Sequence, residues 1–215
     1  MNKPKVGILG NCGYASIQSQ TDGVMLNNPE LVKNFDILIF SGGEDISPGL
    51  YGEENTNSHG VNLRRDFLEV SALKEALRLG VKVIGLCRGH QLINAVLGGK
   101  LYQDITKETG ISHGTGHSRT NYGTWHSVHD FRPTVMDYWT NPTLAFMFPE
   151  VNSLHHQSVK IPGKGLDVIL RARDGIVEAT ASKDMAVVSF QFHPEWMETG
   201  RNYFKKVMET GNIIW

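Results

Sequence analysis

A single reactive side chain stands where a strand pattern changes directly into a helix pattern, and this constrains the fold more than any other feature. The apolar run 81–86 (VKVIGL) is typical of a buried strand and leads straight into Cys87. Residues 88–97 then carry apolar side chains at helical spacing. A strand that passes into a helix at one residue predicts a parallel α/β unit with Cys87 at its turn.

The residues around Cys87 have the spacing of a nucleophile elbow. Gly85 and Gly89 lie two positions before and after it, where side chains would collide in a sharp, strained turn. The following helix N-terminus favours a thiolate, and the backbone N–H of Arg88 would face a developing oxyanion. A buried structural cysteine is the alternative interpretation. The flanking glycines favour a nucleophile.

A candidate general base follows another apolar run, 186–192 (AVVSFQF). His193 would emerge at the carboxyl end of a strand, where open α/β sheets place their sites. A thiolate needs such a base within hydrogen-bond reach, and Glu195 could fix its tautomer. A surface ion pair is the alternative for an isolated His–Glu pair. Together with Cys87, the catalytic interpretation is favoured.

A third element is the Ser41-Gly42-Gly43 turn after the apolar run 35–40 (FDILIF). A glycine pair at the end of a strand allows close backbone approach and a second oxyanion donor, for which Gly43 is the candidate. Cys12 has one following glycine and no strand-to-helix transition, so we interpret it as structural. The chain has neither a phosphate-binding P-loop nor a G-x-G-x-x-G fingerprint.

The remaining patterns predict a three-layer α/β fold, with a central, mainly parallel sheet flanked by helices. A strand over 5–10 opens it, and a helix is predicted over 62–79. Two runs, 167–172 and 176–179, flank an Arg-Asp-Gly turn and predict a late antiparallel hairpin. A helix over 195–208 closes the chain. The apolar stripe expected on the long helix comprises Leu63, Phe67, Val70, Leu73 and Leu77.

Two regions carry weaker patterns. The segment between residues 10 and 35 is short and polar, with room for one helical turn over 28–33. The segment 106–149 is rich in His, Gly, Thr and Ser and predicts a long irregular excursion, with a strand at 125–128.

Composition places the chain among globular proteins and excludes two partner classes. A length of 215 residues predicts one domain, 1–215. The net charge is −1, from 21 basic and 22 acidic residues, which argues against a nucleic-acid or anionic-membrane surface. No apolar run is long enough for a membrane span. Two cysteines do not make a disulfide scaffold, so a reducing, cytoplasmic setting is expected.

These motifs together resemble the class I glutamine amidotransferase fold, in its γ-glutamyl hydrolase branch of the peptidase C26 type. The resemblance rests on five stretches that keep their order along the chain: SGGEDISPGLYGE at 41–53, GLCRGHQLINAVLGGKLYQDI at 85–105, VNSLHHQSV at 151–159, DGIVEA at 174–179 and QFHPEW at 191–196. The chain departs from this branch between residues 10 and 35, where one βα unit is shortened or lost.

The resemblance implies a catalytic triad of Cys87, His193 and Glu195. It also implies an oxyanion hole formed by the backbone N–H groups of Gly43 and Arg88. The implied chemistry is attack on a γ-glutamyl amide carbonyl, a glutamyl thioester intermediate and hydrolysis, with no metal or organic cofactor.

By the same match, Gln91 and His155 would line the γ-glutamyl pocket. A structural histidine bonded to a backbone carbonyl is the alternative for His155. His113, His117, His126 and His129 are a further polar group. Zinc binding by the first two requires a helix, which the intervening glycines oppose, so we interpret the group as a polar lid or hairpin.

Three functions remain open from the sequence. The first is a free-standing hydrolase acting on a small γ-glutamyl substrate, which the HHQ segment favours. The second is a glutaminase subunit that supplies ammonia to a separate biosynthetic synthetase, which the compact length would suit. The third is a non-catalytic binding protein of the same fold, which the retention of all three triad residue types opposes.

Overall fold

The computed structural model describes residues 3–111, 113, 134–139 and 147–214. Its strands in chain order are β1 (Val6–Leu9), β2 (Val24–Met25), β3 (Ile37–Phe40), β4 (Lys82–Leu86), β5 (Lys100–Tyr102), β6 (Thr134–Trp139), β7 (Glu150–Val151), β8 (Ser158–Ile161), β9 (Leu166–Ala172), β10 (Val177–Ser182) and β11 (Val187–Phe190). Its α-helices are α1 (Tyr14–Thr21), α2 (Leu63–Leu79), α3 (Arg88–Val96), α4 (Ile105–Thr109) and α5 (Glu198–Thr210). Short 3-10 helices span Pro29–Asn34, Pro48–Tyr51 and Pro194–Trp196.

One large sheet organises the described residues, in the order β2-β1-β3-β4-β11-β10-β9-β6-β7. The strands from β2 to β11 are mutually parallel, and the strands beyond β11 are added in antiparallel fashion. A separate antiparallel pair joins β5 and β8. The predicted fold class is confirmed, and so is the late hairpin, which is formed by β9 and β10.

The parallel strands bury both faces, which produces three layers. Successive residues of β3 alternate between two apolar clusters: Ile37 and Ile39 enter one, Leu38 and Phe40 the other. The first cluster includes side chains of α1 and α5, and the second includes side chains of α2 and α3. Helices on both faces explain the continuous apolar runs of these strands.

The apolar stripe predicted for the long helix was partly wrong: Leu73 is buried, but Leu63, Phe67 and Leu77 are exposed. The helix itself begins and ends near the expected residues. Leu63 and Phe67 are 67% and 77% exposed, whereas Asp66 and Glu69 are buried. The helix turns a partly polar face inward because the buried Arg88 side chain lies opposite those carboxylates. Hydrophobic periodicity alone cannot detect such a face.

The region between residues 10 and 35 holds more structure than predicted. It contains α1, the two-residue strand β2 and a 3-10 helix, so the βα unit is short but present. Only Ile17 and Thr21 of α1 are buried, which explains why no apolar stripe revealed this helix. The predicted turn over 28–33 corresponds to the 3-10 helix Pro29–Asn34.

The predicted excursion over 106–149 contains most of α4 and all of β6. The strand expected at 125–128 lies outside the described residues. The closing helix begins at Glu198 rather than at residue 195, because the preceding Pro194–Trp196 segment forms a 3-10 turn. Searched over its described ranges, the chain shows no helix with the length and apolar character that a membrane crossing requires.

Helix α5 packs directly against the backbone that carries His193, and Gly200 permits this contact. A Cβ built on Gly200 would lie 1.7 Å from the Pro194 carbonyl oxygen. We therefore expect Gly200→Ala to lower the free energy of unfolding by about 1–3 kcal/mol or more, because the backbone must shift. Urea denaturation measures this, with the exposed Arg201→Ala as control, expected within about 0.5 kcal/mol of the parent. Equal stability of Gly200→Ala and the parent would contradict the close contact.

Candidate functional site

Cys87 occupies a strained turn between β4 and α3. Its backbone has φ 49° and ψ −100°, outside the regions that side-chain-bearing residues favour. A Cβ on Gly89 would lie 2.2 Å from the Phe40 carbonyl oxygen, and one on Gly85 would lie 2.8 Å from the Gly89 carbonyl carbon. Both flanking glycines are therefore required by backbone contact. Such strain costs on the order of 1–3 kcal/mol and is typical of functional sites.

The structure brings His193 and Glu195 to this turn. His193 Nδ1 lies 2.8 Å from Glu195 Oε1, and the Cys87 sulfur is close enough to act on the imidazole electrostatically. Both His193 and Glu195 are buried. Burial alone lowers the pKa of His193, but the Glu195 carboxylate and the Cys87 sulfur outweigh it and hold that pKa well above its ordinary value. The geometry supports a protonated imidazole between a carboxylate and a sulfur.

Three residues that the sequence analysis did not assign hold this pair in place. Asn152 accepts a 2.8 Å hydrogen bond from the His193 backbone N–H and donates another of 2.8 Å to the His193 carbonyl. The Trp196 ring stacks on the imidazole, with 4.3 Å between centroids. Ser16 of α1 donates to the Glu195 carbonyl at 2.8 Å. Asn152 lies in the VNSLHHQSV stretch, so that motif could have identified it as a site residue from the sequence.

The glycine turn after β3 packs against the imidazole. A Cβ on Gly42 would lie 2.6 Å from His193 Cε1, so only glycine fits there. Gly43 adopts φ +151°, and Arg65 lies where its side chain would be. Arg65 donates a 2.8 Å hydrogen bond to the Gly42 carbonyl, which fixes the turn from outside. Of the two arginines that open α2, Arg65 supports this turn and Arg64 is exposed.

The side chain of Arg88 belongs to a buried ionic network beneath the elbow. It pairs with Glu69 and, at 2.5 Å, with Asp66. Glu69 also accepts from Arg65 Nε at 2.7 Å, and Arg65 reaches Glu44 at 2.6 Å. One network thus links the glycine turn, α2 and the start of α3.

Cys12, which the sequence analysis interpreted as structural, lies beside the site. It forms a β-bridge with Gly42, and its sulfur is 3.4 Å from the Cβ position built there. Burial raises the pKa of the Cys12 thiol to about 11, with smaller effects from neighbouring charges. The thiol is therefore a protonated neighbour of His193.

The two residues expected to line the pocket are both buried. Gln91 Nε2 lies 3.3 Å from the Gln157 carbonyl and 3.3 Å from Gln191 Oε1. Gln191 in turn approaches the Cys87 sulfur at 3.8 Å and was not singled out from the sequence. His155 Nδ1 lies 2.9 Å from the Gln157 carbonyl oxygen, which matches the contact of the alternative interpretation.

Among the described residues, one group has the composition of a metal site: His113, His155 and Glu178. His117, His126 and His129 lie outside the described residues.

The mainly parallel sheet, with a strained cysteine turn and a buried His–Glu pair, is typical of glutamine amidotransferase-like α/β proteins. The chain belongs to the Peptidase C26 family, whose model matches residues 16–195.

Comparisons with individual proteins agree with this membership. The glutamine amidotransferase-like protein YvdE of Lactococcus lactis is 35% identical over 193 residues, covering 86% of this chain and 78% of that protein. A gamma-glutamyl-gamma-aminobutyrate hydrolase of Escherichia coli O157:H7 is 26% identical over 182 residues, covering 78% of this chain and 66% of that protein. A crystal structure of a Thermotoga maritima glutamine amidotransferase has the same fold, with TM-score 0.59, 15% identity and coverage of 98% and 86% of the two chains.

The two cysteines are expected to differ in reactivity. At pH 7.5 a thiol whose pKa is about 11 is ionised in less than about one molecule in a thousand, whereas Cys87 has an imidazole partner. Limiting iodoacetamide should therefore label Cys87 first, as read by peptide mass spectrometry. In Cys87→Ala, labelling should become slow because Cys12 alone remains. Equal labelling rates at the two positions would argue against an activated thiolate.

Proposed function

We propose that this protein hydrolyses γ-glutamyl amide bonds through a covalent thioester on Cys87. The observation that carries the proposal is the strained Cys87 turn beside the buried His193–Glu195 pair. A surface cysteine or a surface ion pair would need none of the close contacts found around it. We also propose that residues 1–215 act as one domain.

In the first half of the proposed reaction, the Cys87 sulfur attacks the amide carbonyl carbon and forms a C–S bond. The carbonyl electrons move onto oxygen, where the backbone N–H groups of Gly43 and Arg88 would stabilise the negative charge. Collapse of this intermediate breaks the C–N bond, and the imidazolium of His193 gives its proton to the leaving amine. Glu195 keeps the imidazole oriented and stabilises its charged form.

In the second half, water replaces the amine. Neutral His193 takes a proton from the water as its oxygen attacks the thioester carbonyl. The C–S bond breaks, glutamate leaves and the proton returns to the Cys87–His193 pair. We further propose that Gln91 and His155 line the pocket that binds the γ-glutamyl group.

A second candidate function is a glutaminase subunit that delivers ammonia to a separate synthetase. The YvdE relative, whose name describes it as glutamine amidotransferase-like, favours this alternative, and the relative named gamma-glutamyl-gamma-aminobutyrate hydrolase favours the free-standing enzyme. The chemistry at Cys87 is the same in both, and the leaving amine differs.

A panel of γ-glutamyl amides that includes free glutamine tests the proposal. We expect turnover of at least one amide, and a loss of at least about 10⁴-fold in Cys87→Ala, because the nucleophile is removed. Released amine and glutamate are measured separately, and circular dichroism checks that the variant is folded. Cys12→Ala is the matched control and should retain turnover.

The same panel separates the alternatives. Turnover of a conjugate by the isolated chain supports the free-standing hydrolase. Turnover of glutamine only after a synthetase is added supports the glutaminase subunit. Undiminished turnover in Cys87→Ala would refute the mechanism, and silence of the parent protein with every donor and every added synthetase would support a binding protein.

The pH profile tests the proposed role of Glu195. The pKa of His193 is raised, so the imidazolium persists above pH 6.5 and is lost only at higher pH. Because the leaving amine needs that proton, kcat/KM should fall on the alkaline side. Glu195→Gln removes the carboxylate that raises the pKa, so this limb should move to lower pH and kcat should drop by about 10²–10⁴-fold. An alkaline limb that does not move in Glu195→Gln would contradict the assignment to His193.

A further inference from the structure

A second buried cluster of titratable side chains adjoins the Cys87 site but includes none of Cys87, His193 and Glu195. It joins His113, which follows α4, to His155, which precedes β8, and to Glu178 on β10. All three residues are buried, and one ligand atom from each lies within 4.8 Å of the others. Side chains from three separate parts of the chain therefore converge on one small volume.

Both imidazoles in this cluster are oriented through the same ring nitrogen. His113 Nδ1 lies 2.5 Å from Asp174 Oδ2, and His155 Nδ1 lies 2.9 Å from the Gln157 carbonyl oxygen. Each Nε2 consequently turns towards Glu178 Oε1, at 2.9 Å from His113 and 3.9 Å from His155. A second-shell carboxylate or carbonyl on the other ring nitrogen is the usual support of a metal-binding histidine.

The atoms that face each other here lack aligned hydrogen-bond partners within the described part of the chain. They are the two Nε2 atoms and both carboxylate oxygens of Glu178. The Nδ1–H of His155 donates to a carbonyl, so its Nε2 is an acceptor that faces further acceptors. Buried acceptors grouped in this way call for a cation between them.

A proton on His113 supplies that charge only in part. A proton on its Nε2 would lie between the ring and Glu178 Oε1, which is 2.9 Å away. The protonated ring neutralises one carboxylate, and its N–H cannot also reach the His155 lone pair. A metal ion can accept all three donors at once.

We propose that His113, His155 and Glu178 bind one divalent transition-metal ion, with zinc as the ion that this donor set fits. Two imidazoles and a carboxylate form a three-ligand site that leaves a fourth position for water. The proposal departs from the sequence expectation that the His-rich segment binds no metal. It assigns His155 Nε2 to the metal in place of the γ-glutamyl pocket, and it does not depend on the proposed hydrolysis.

The ion would link His113 to Glu178, which contacts a residue of the Cys87 site. The Glu178 carbonyl accepts a 2.7 Å hydrogen bond from the Gln191 backbone N–H, and the Gln191 side chain approaches the Cys87 sulfur. Metal binding at Glu178 should therefore stabilise the folded protein, whatever its effect on turnover.

Zinc content and thermal stability test the proposal. Because zinc also binds active-site thiols, the experiment uses a Cys12→Ala, Cys87→Ala background. This protein is stripped with chelator, incubated with ZnCl₂, desalted and analysed for metal. We expect about one zinc per chain and a higher Tm than for the stripped protein. In the same background Glu178→Gln and His113→Ala should lose both, while Glu150→Gln at an exposed position keeps both.

The result that overturns the proposal is a stripped protein that gains no zinc, or a Glu178→Gln variant that keeps its stoichiometry. If both cluster variants fail to fold, X-ray absorption at the zinc edge decides on the background protein itself. Two imidazoles and oxygen ligands without sulfur are expected. A different ligand set would place the zinc elsewhere and refute the assignment.

Discussion

The positive φ of Cys87 is the constraint on which the rest of the site depends. A residue with a side chain does not hold φ 49° unless its surroundings fix it. Here the surroundings are β4 on one side, α3 on the other and the Phe40 carbonyl against Gly89. The turn places the buried Cys87 at the end of β4, and His193 follows the neighbouring strand β11. Parallel pairing of β4 with β11 therefore sets the approach of the two side chains.

A buried ionic network supports that turn from below. Glu69 forms ion pairs with both Arg65 and Arg88. Arg65 holds the glycine turn after β3 and Arg88 is the first residue of α3, so one carboxylate connects the two segments. Buried ion pairs rarely add much net stability, because removing charges from water is costly. Their value here is positional, since they hold both the glycine turn beside His193 and the residue that follows Cys87. The inner face of α2 carries Asp66 and Glu69 of this network, so Leu63 and Phe67 lie on the opposite, exposed face.

Much of this arrangement could be predicted from local sequence. Strong apolar runs predicted β3, β4 and β11, and the glycine spacing predicted the turn at Cys87. The helix α1 could not be predicted, because it buries only Ile17 and Thr21 and so carries no stripe. The inner face of α2 could not be predicted either, although this helix buries more residues than α1 does. Two of its buried residues, Asp66 and Glu69, are charged, and periodicity analysis counts charged residues as exposed.

By itself the sequence determined the elements and the candidate groups: a strand–cysteine–helix turn, a His-Pro-Glu segment and a glycine pair, because each depends on residues adjacent in the chain. Only the tertiary structure decided which distant side chains meet. It brought Asn152 to the His193 backbone, Cys12 to the edge of the site and His113 to His155 and Glu178. These contacts depend on strand order and on long connections, and no local pattern records either.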